Sequence, residues 1–82
     1  MALDLTSRIR DVPDFPTPGI VFKDLMPLIA DPIYFKETVD RLAEWAGPKH
    51  PDLILGAEAR GFIFGAALAY VLGAGFVAAR KP

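Results

Sequence analysis

The chain has no cysteine and only one histidine, His50. A disulfide framework and a Cys/His zinc cluster, the two staples that usually reinforce small domains, are therefore excluded. The lack of cysteine fits a reducing cytosol. Charge bias is also missing: 9 Lys and Arg against 10 Asp and Glu leave a net −1, so no global basic field points to nucleic acid. Neither G-x-G-x-x-G nor G-x-x-x-x-G-K-[ST] occurs, which argues against a dinucleotide fold or a P-loop. With no cysteine and no Ser/His/Asp set, an acyl-transfer nucleophile has no support. The start, Met1-Ala2-Leu3-Asp4-Leu5, has an acid where a signal peptide needs basic residues, and no apolar h-region follows.

What is present is apolar. At 52% hydrophobic residues the chain is too rich in core-forming side chains for disorder. A chain of 82 residues makes one small domain or a piece of one, and such a chain buries only about 60% of its unfolded surface. Residues 61 to 79 form a charge-free run. Its length, its Gly61/Gly65 pair and the flanking Arg60 and Arg80-Lys81 suit a transmembrane candidate. Gly73-Ala74-Gly75 interrupts that run where a helix C-cap belongs. The sequence therefore reads as a helix of 61–72 followed by a separate apolar strand, a pattern that a buried α/β unit also produces.

Other elements follow from local chemistry. Leu5, Ile9 and Val12 stand at i, i+4 and i+7, which predicts a short amphipathic helix over 4–11 ending at Pro13. Asp14-Phe15-Pro16-Thr17-Pro18-Gly19 is a stiff loop, because Pro13, Pro16 and Pro18 forbid helix and Pro18-Gly19 signals a turn. Residues 20–23 are extended, and 24–30, broken by Pro27, make a helical turn. Asp31 and Pro32 are an N-cap and first-turn pair. They open a helix with Phe35, Val39, Leu42 and Ala46 on its apolar face and with Lys36, Glu37, Asp40, Arg41 and Glu44 on a solvated one. Gly47-Pro48 stops it, and His50, beside Pro51, is a surface residue. Residues 52–56 and 76–79 read as buried strands.

Strand, helix, strand is the pattern of a right-handed parallel crossover. Both strands then end at one sheet edge, where open α/β sheets bind ligands. Glu58 and Arg60 leave the first strand there, and Arg80 and Lys81 leave the second. The helix beginning at Gly61 aims its free N–H groups at the same place. Three cations and a helix N-terminus make a crevice fit for phosphate or pyrophosphate, with Gly56 and Gly61 allowing close backbone approach to the ligand. Polar residues at strand ends are also where solvent begins, so spacing alone leaves plain surface charge as an alternative.

Three segments carry a resemblance that says more. The stretch from Asp14 to Asp24 (Asp-Phe-Pro-Thr-Pro-Gly-Ile-Val-Phe-Lys-Asp), the stretch from Gly56 to Gly65 (Gly-Ala-Glu-Ala-Arg-Gly-Phe-Ile-Phe-Gly), and Ala79-Arg80-Lys81-Pro82 resemble signatures of the adenine phosphoribosyltransferases. The resemblance implies an α/β, partial type I phosphoribosyltransferase fold: an N-terminal helix and a hood segment of about 13–30, then an α/β core segment of about 33–82, together one domain. It implies transfer of 5-phosphoribose from phosphoribosyl pyrophosphate to adenine, giving AMP and pyrophosphate in purine salvage. It further implies Mg²⁺ carried on the pyrophosphate, a cytosolic homodimer, and no nucleic-acid or membrane partner. By position, Val21, Phe22 and Lys23 match the segment that holds adenine, partly through backbone groups. Glu58, Ala59 and Arg60 match the pyrophosphate loop, whose Glu58–Ala59 bond can be cis. Arg80 and Lys81 match the basic start of the catalytic loop. Lys23 departs from the pattern, since many relatives have Arg there, and a planar guanidinium stack on the base would not survive the change.

The same resemblance places the acidic loop residue and the Asp-Asp…Thr-Gly-Gly-Thr phosphate cradle beyond Pro82. No catalytic residue is therefore expected within these residues, and the isolated chain should be inactive and poorly soluble or associating. A non-enzymatic purine- or phosphate-binding regulator on the same fold is the alternative.

Overall fold

The computed structural model describes residues 3–82, so the signal-peptide reading at Met1 and Ala2 falls outside the described residues. The chain divides into two units, Met1–Thr38 and Val39–Pro82.

In the first unit, the helix predicted over 4–11 does not form. A single 3-10 turn, Leu5–Arg8, gives way to strand β1, Arg10–Pro13. The polar side chains decide this. The Asp4 carboxylate accepts from the Thr6 N–H and hydroxyl, and the Ser7 hydroxyl donates to the Asp4 carbonyl, local bonds that compete with helix propagation. Residues 10–13 instead pair antiparallel with β2, Val21–Asp24, in the register Arg10↔Asp24 to Pro13↔Val21. Ion pairs Arg10–Asp24 and Lys23–Asp11 reinforce that register. The connecting loop closes on itself: Phe15 N–H donates to the Ile20 carbonyl at 3.1 Å, and Gly19 N–H to the Asp14 carboxylate at 2.9 Å. Gly19 holds φ at +89°, a conformation that favours glycine.

Helix α1, Met26–Ala30, has Pro27 in its first turn and buries Leu28. Asp31 then opens α2, Pro32–Ala46. Its carboxylate accepts from the Ile33 and Tyr34 N–H groups at 3.0 and 3.3 Å, as the Asp31-Pro32 pair predicts. Val39 and Ala46 are buried, while Phe35 and Leu42 are half-buried. Of the residues expected on a solvated face, Lys36 and Glu44 are exposed, but Glu37, Asp40 and Arg41 are half-buried. A second 3-10 turn, Gly47–Lys49, stops the helix, and His50 follows, exposed and left-handed at φ 51°.

The second unit contains the expected crossover. Strand β3, Leu53–Ala57, and strand β4, Gly75–Ala79, are parallel, paired from Leu53↔Gly75 to Ala57↔Ala79. Between them lies α3, Arg60–Leu72. Gly73 ends it in the left-handed conformation, and Ala74 N–H donates to the Ala69 carbonyl at 2.9 Å. The apolar run is thus split, and among the described residues no helix is long and apolar enough to cross a membrane.

Glycine sets how closely α3 lies on β3. A Cβ on Gly56 would strike the Gly61 carbonyl oxygen and come within 2.7 Å of the Phe76 ring, and one on Gly65 would come within 2.6 Å of that same ring. Gly56 and Gly61, expected to let backbone approach a ligand, face each other, and their missing side chains let the helix and strand backbones meet. The strands also differ from expectation in burial. Leu53, Leu55 and Val77 are 63%, 70% and 44% exposed, since α3 covers one face of the strand pair and β3 alternates exposed and covered residues.

Gly56→Ala should lower unfolding stability by about 1–3 kcal/mol in a urea titration, the usual cost of overpacking. Gly47→Ala should stay within about 0.5 kcal/mol of the parent, because a Cβ there meets only the Leu72 side chain, at 3.8 Å.

Candidate functional site

The two parallel strands end in step. Ala57 pairs with Ala79, and the ladder runs one bond further, from the Glu58 N–H to the Ala79 carbonyl at 3.1 Å. Glu58, Ala59 and Arg60 therefore leave the same edge as Arg80 and Lys81, and all five are exposed. Two open concavities flank the Glu58 turn. One, of about 660 Å³, is lined by Ala57, Glu58, Ala79, Arg80, Lys81 and Pro82. The other, of about 490 Å³, is lined by residues 57 to 61. The Glu58–Ala59 peptide, at a position that the resemblance allows to be cis, is cis.

Helix α3 starts inside this edge. Its N-cap is Ala59, which offers no side-chain hydrogen bond, and its first turn carries no acid. Helix α2 shows the contrast, because there Asp31 satisfies the leading N–H groups. An uncapped N-terminus keeps donors and the positive dipole end available to an anion. Three cations against one carboxylate give this edge a positive local balance on a chain whose net charge is −1. Arg80 lies with its guanidinium carbon 5.7 Å from the centre of the Phe62 ring, a neighbour that sequence reading did not single out. Among the described residues no group of three His, Cys, Asp or Glu side chains could hold a metal ion. The donors here are suited to an anion and do not themselves form a metal cage.

The residues matched to the hood lie in the first unit, on β2. Alternation along the strand separates them: Val21 and Lys23 are exposed and Phe22 is half-buried. The Phe22 ring meets Phe15 edge-on, with centroids 5.3 Å apart. The Lys23 ammonium bonds Asp11 on the paired strand at 2.7 Å, a partner that spacing did not suggest. Lys23 and Asp11 also line a concavity of about 420 Å³ with Thr6, Ile9 and Leu25.

No model of a protein family matches the chain. Individual proteins do. An adenine phosphoribosyltransferase of Thermotoga maritima is 55% identical over 80 residues, which are 98% of this chain and 46% of that protein. The crystal structure of adenine phosphoribosyltransferase from Thermoanaerobacter pseudethanolicus superposes with a TM-score of 0.90 at 49% identity, covering 95% of this chain and 46% of the other. The Giardia lamblia enzyme, solved with 9-deazaadenine, gives 0.91 at 38% identity, covering 95% and 43%. The chain thus spans just under half the length of the curated relatives it matches.

Inorganic pyrophosphate added to the full-length protein should shift the amide resonances of residues 59–62 and 80–81 ahead of others in this segment in a ¹H–¹⁵N spectrum. Sodium chloride at matched ionic strength should not reproduce that pattern. Shifts spread evenly over surface lysines and arginines would reduce the crevice to ordinary surface charge.

Proposed function

We propose, for a chain homologous to the N-terminal half of the adenine phosphoribosyltransferases, a share in one reaction: transfer of 5-phosphoribose from phosphoribosyl pyrophosphate to adenine, with AMP and pyrophosphate as products. The observation that carries this reading is the common end of β3 and β4, which sets the Glu58–Arg60 turn and the Arg80–Lys81 pair beside the uncapped start of α3.

The chemistry asks for charge stabilisation more than for a nucleophile. As the bond from ribose to pyrophosphate lengthens, the anomeric carbon becomes cation-like and the leaving group gathers negative charge. Arg60, Arg80 and the first N–H groups of α3 hold that leaving group, and Lys81 adds to the field. Mg²⁺ carried by the substrate, and not held by this chain's own carboxylates, would supply further neutralisation of the leaving group's charge. Adenine sits against Val21, Phe22 and Lys23, recognised through the β2 backbone and the Phe22 ring. The Lys23 ammonium, engaged by Asp11, does not stack on the base. Hood and core belong to one phosphoribosyltransferase domain, and the working enzyme is a cytosolic homodimer that also supplies the acidic loop residue and phosphate cradle. These 82 residues by themselves do not turn over adenine.

Arg60 separates this reading from a structural one. In the full-length enzyme Arg60→Ala should cut kcat/KM for phosphoribosyl pyrophosphate by about ten- to a hundredfold, the worth of one charge-assisted contact. Adenine KM and melting temperature should change little. A destabilised variant with normal phosphoribosyl pyrophosphate kinetics would make Arg60 a brace for the turn and remove it from the site. Lys23→Ala should leave adenine KM within about twofold, as expected when the substitution removes little beyond an exposed ion pair, and a tenfold rise would place the ammonium on the base.

A further inference from the structure

We infer that Phe62 is a positioning residue, holding the Arg80 guanidinium at the anion crevice before any ligand arrives; the inference deepens the pyrophosphate role proposed for Arg80 and rests on it. Arg80 is the first residue after β4 and is exposed. An exposed arginine ordinarily samples many rotamers, and a ligand that needs one of them must freeze the rest. Here the guanidinium carbon lies 5.7 Å from the centre of the Phe62 ring, within the roughly 6 Å over which a cation is drawn to an aromatic ring. Phe62 is the third residue of α3, so its ring places the charge beside the helix's uncapped first turn.

The ring is itself held. Phe76 meets it edge-on, with centroids 6.1 Å apart and planes at 84°, a favourable aromatic geometry. Phe76 in turn fills the space that Gly56 and Gly65 leave open, as the 2.7 and 2.6 Å approaches of their hypothetical Cβ atoms demonstrate. A continuous series of contacts thus runs from a glycine slot through Phe76 and Phe62 to Arg80. Each member restricts the next, and the last is a cation at the edge of the crevice. A flat guanidinium suits a ring face better than a compact ammonium does, so lysine would not replace arginine here without loss.

The test uses the full-length enzyme, with wild-type turnover of adenine and phosphoribosyl pyrophosphate as the control for the underlying reading. An inactive wild type would end that reading and this inference with it. With an active wild type, Phe62→Leu should raise KM for phosphoribosyl pyrophosphate about two- to fivefold, the worth of an exposed cation–π contact. Adenine KM should be unchanged, and Phe62→Tyr, which keeps the ring, should restore the wild-type value. In an Arg80→Ala background Phe62→Leu should have no further effect on that KM. An equal penalty in both backgrounds would show a purely structural role, and either that result or no penalty in the parent overturns the inference. Should Phe62→Leu not fold, Phe62→Met keeps the bulk without the ring and carries the same comparison.

Discussion

The backbone of α3 touches the backbone of β3, and the candidate site depends on that close approach. Gly56 and Gly61 face each other with no room for a Cβ at the first, and Gly65 leaves space for the Phe76 ring. Close approach brings the start of the helix down to the strand end, because only the turn 58–59 separates Ala57 from Arg60. A wider helix–sheet gap would need a longer turn, and the leading N–H groups would then no longer lie level with Arg80 and Lys81. The glycines shape the candidate site through packing, one step removed from any ligand.

Sequence and structure agree most closely where one residue type has one physical use. Asp31 followed by Pro32 can do little except open a helix, and it does. Gly73 at φ 69° divides an apolar run that hydropathy alone would extend to Ala79. The convergence of Glu58, Arg60, Arg80 and Lys81 was legible because parallel strands joined by a helix must end on the same side. Agreement fails where several weak signals compete. Leu5, Ile9 and Val12 have helical spacing, yet Asp4, Thr6 and Ser7 satisfy one another locally, and Arg10 and Asp11 find partners fourteen and twelve residues away. No periodicity within a short window contains those partners.

Burial was the other quantity the sequence could not supply. A strand rich in leucine and isoleucine reads as covered on both faces, but covering depends on which elements lie opposite. Here α3 takes one face, leaving Leu53 and Leu55 largely exposed on the other. The aromatic series ending at Arg80 escaped for a related reason. Phe62 on α3 and Phe76 on β4 lie fourteen positions apart, and only the packing of that helix against the strand brings them together.

The hydrogen bond from the Glu58 N–H to the Ala79 carbonyl has a thermodynamic consequence. Two loops that moved independently would each surrender conformational freedom when a shared anion tied them together, and that loss would weaken binding. Here the residues from which both loops spring are already joined by the last rung of the ladder. Part of the ordering is completed when the protein folds, so less remains to oppose association. In the proposed site the sheet would thus act as more than a support, absorbing in advance some of the entropy that capture of an anion would otherwise cost.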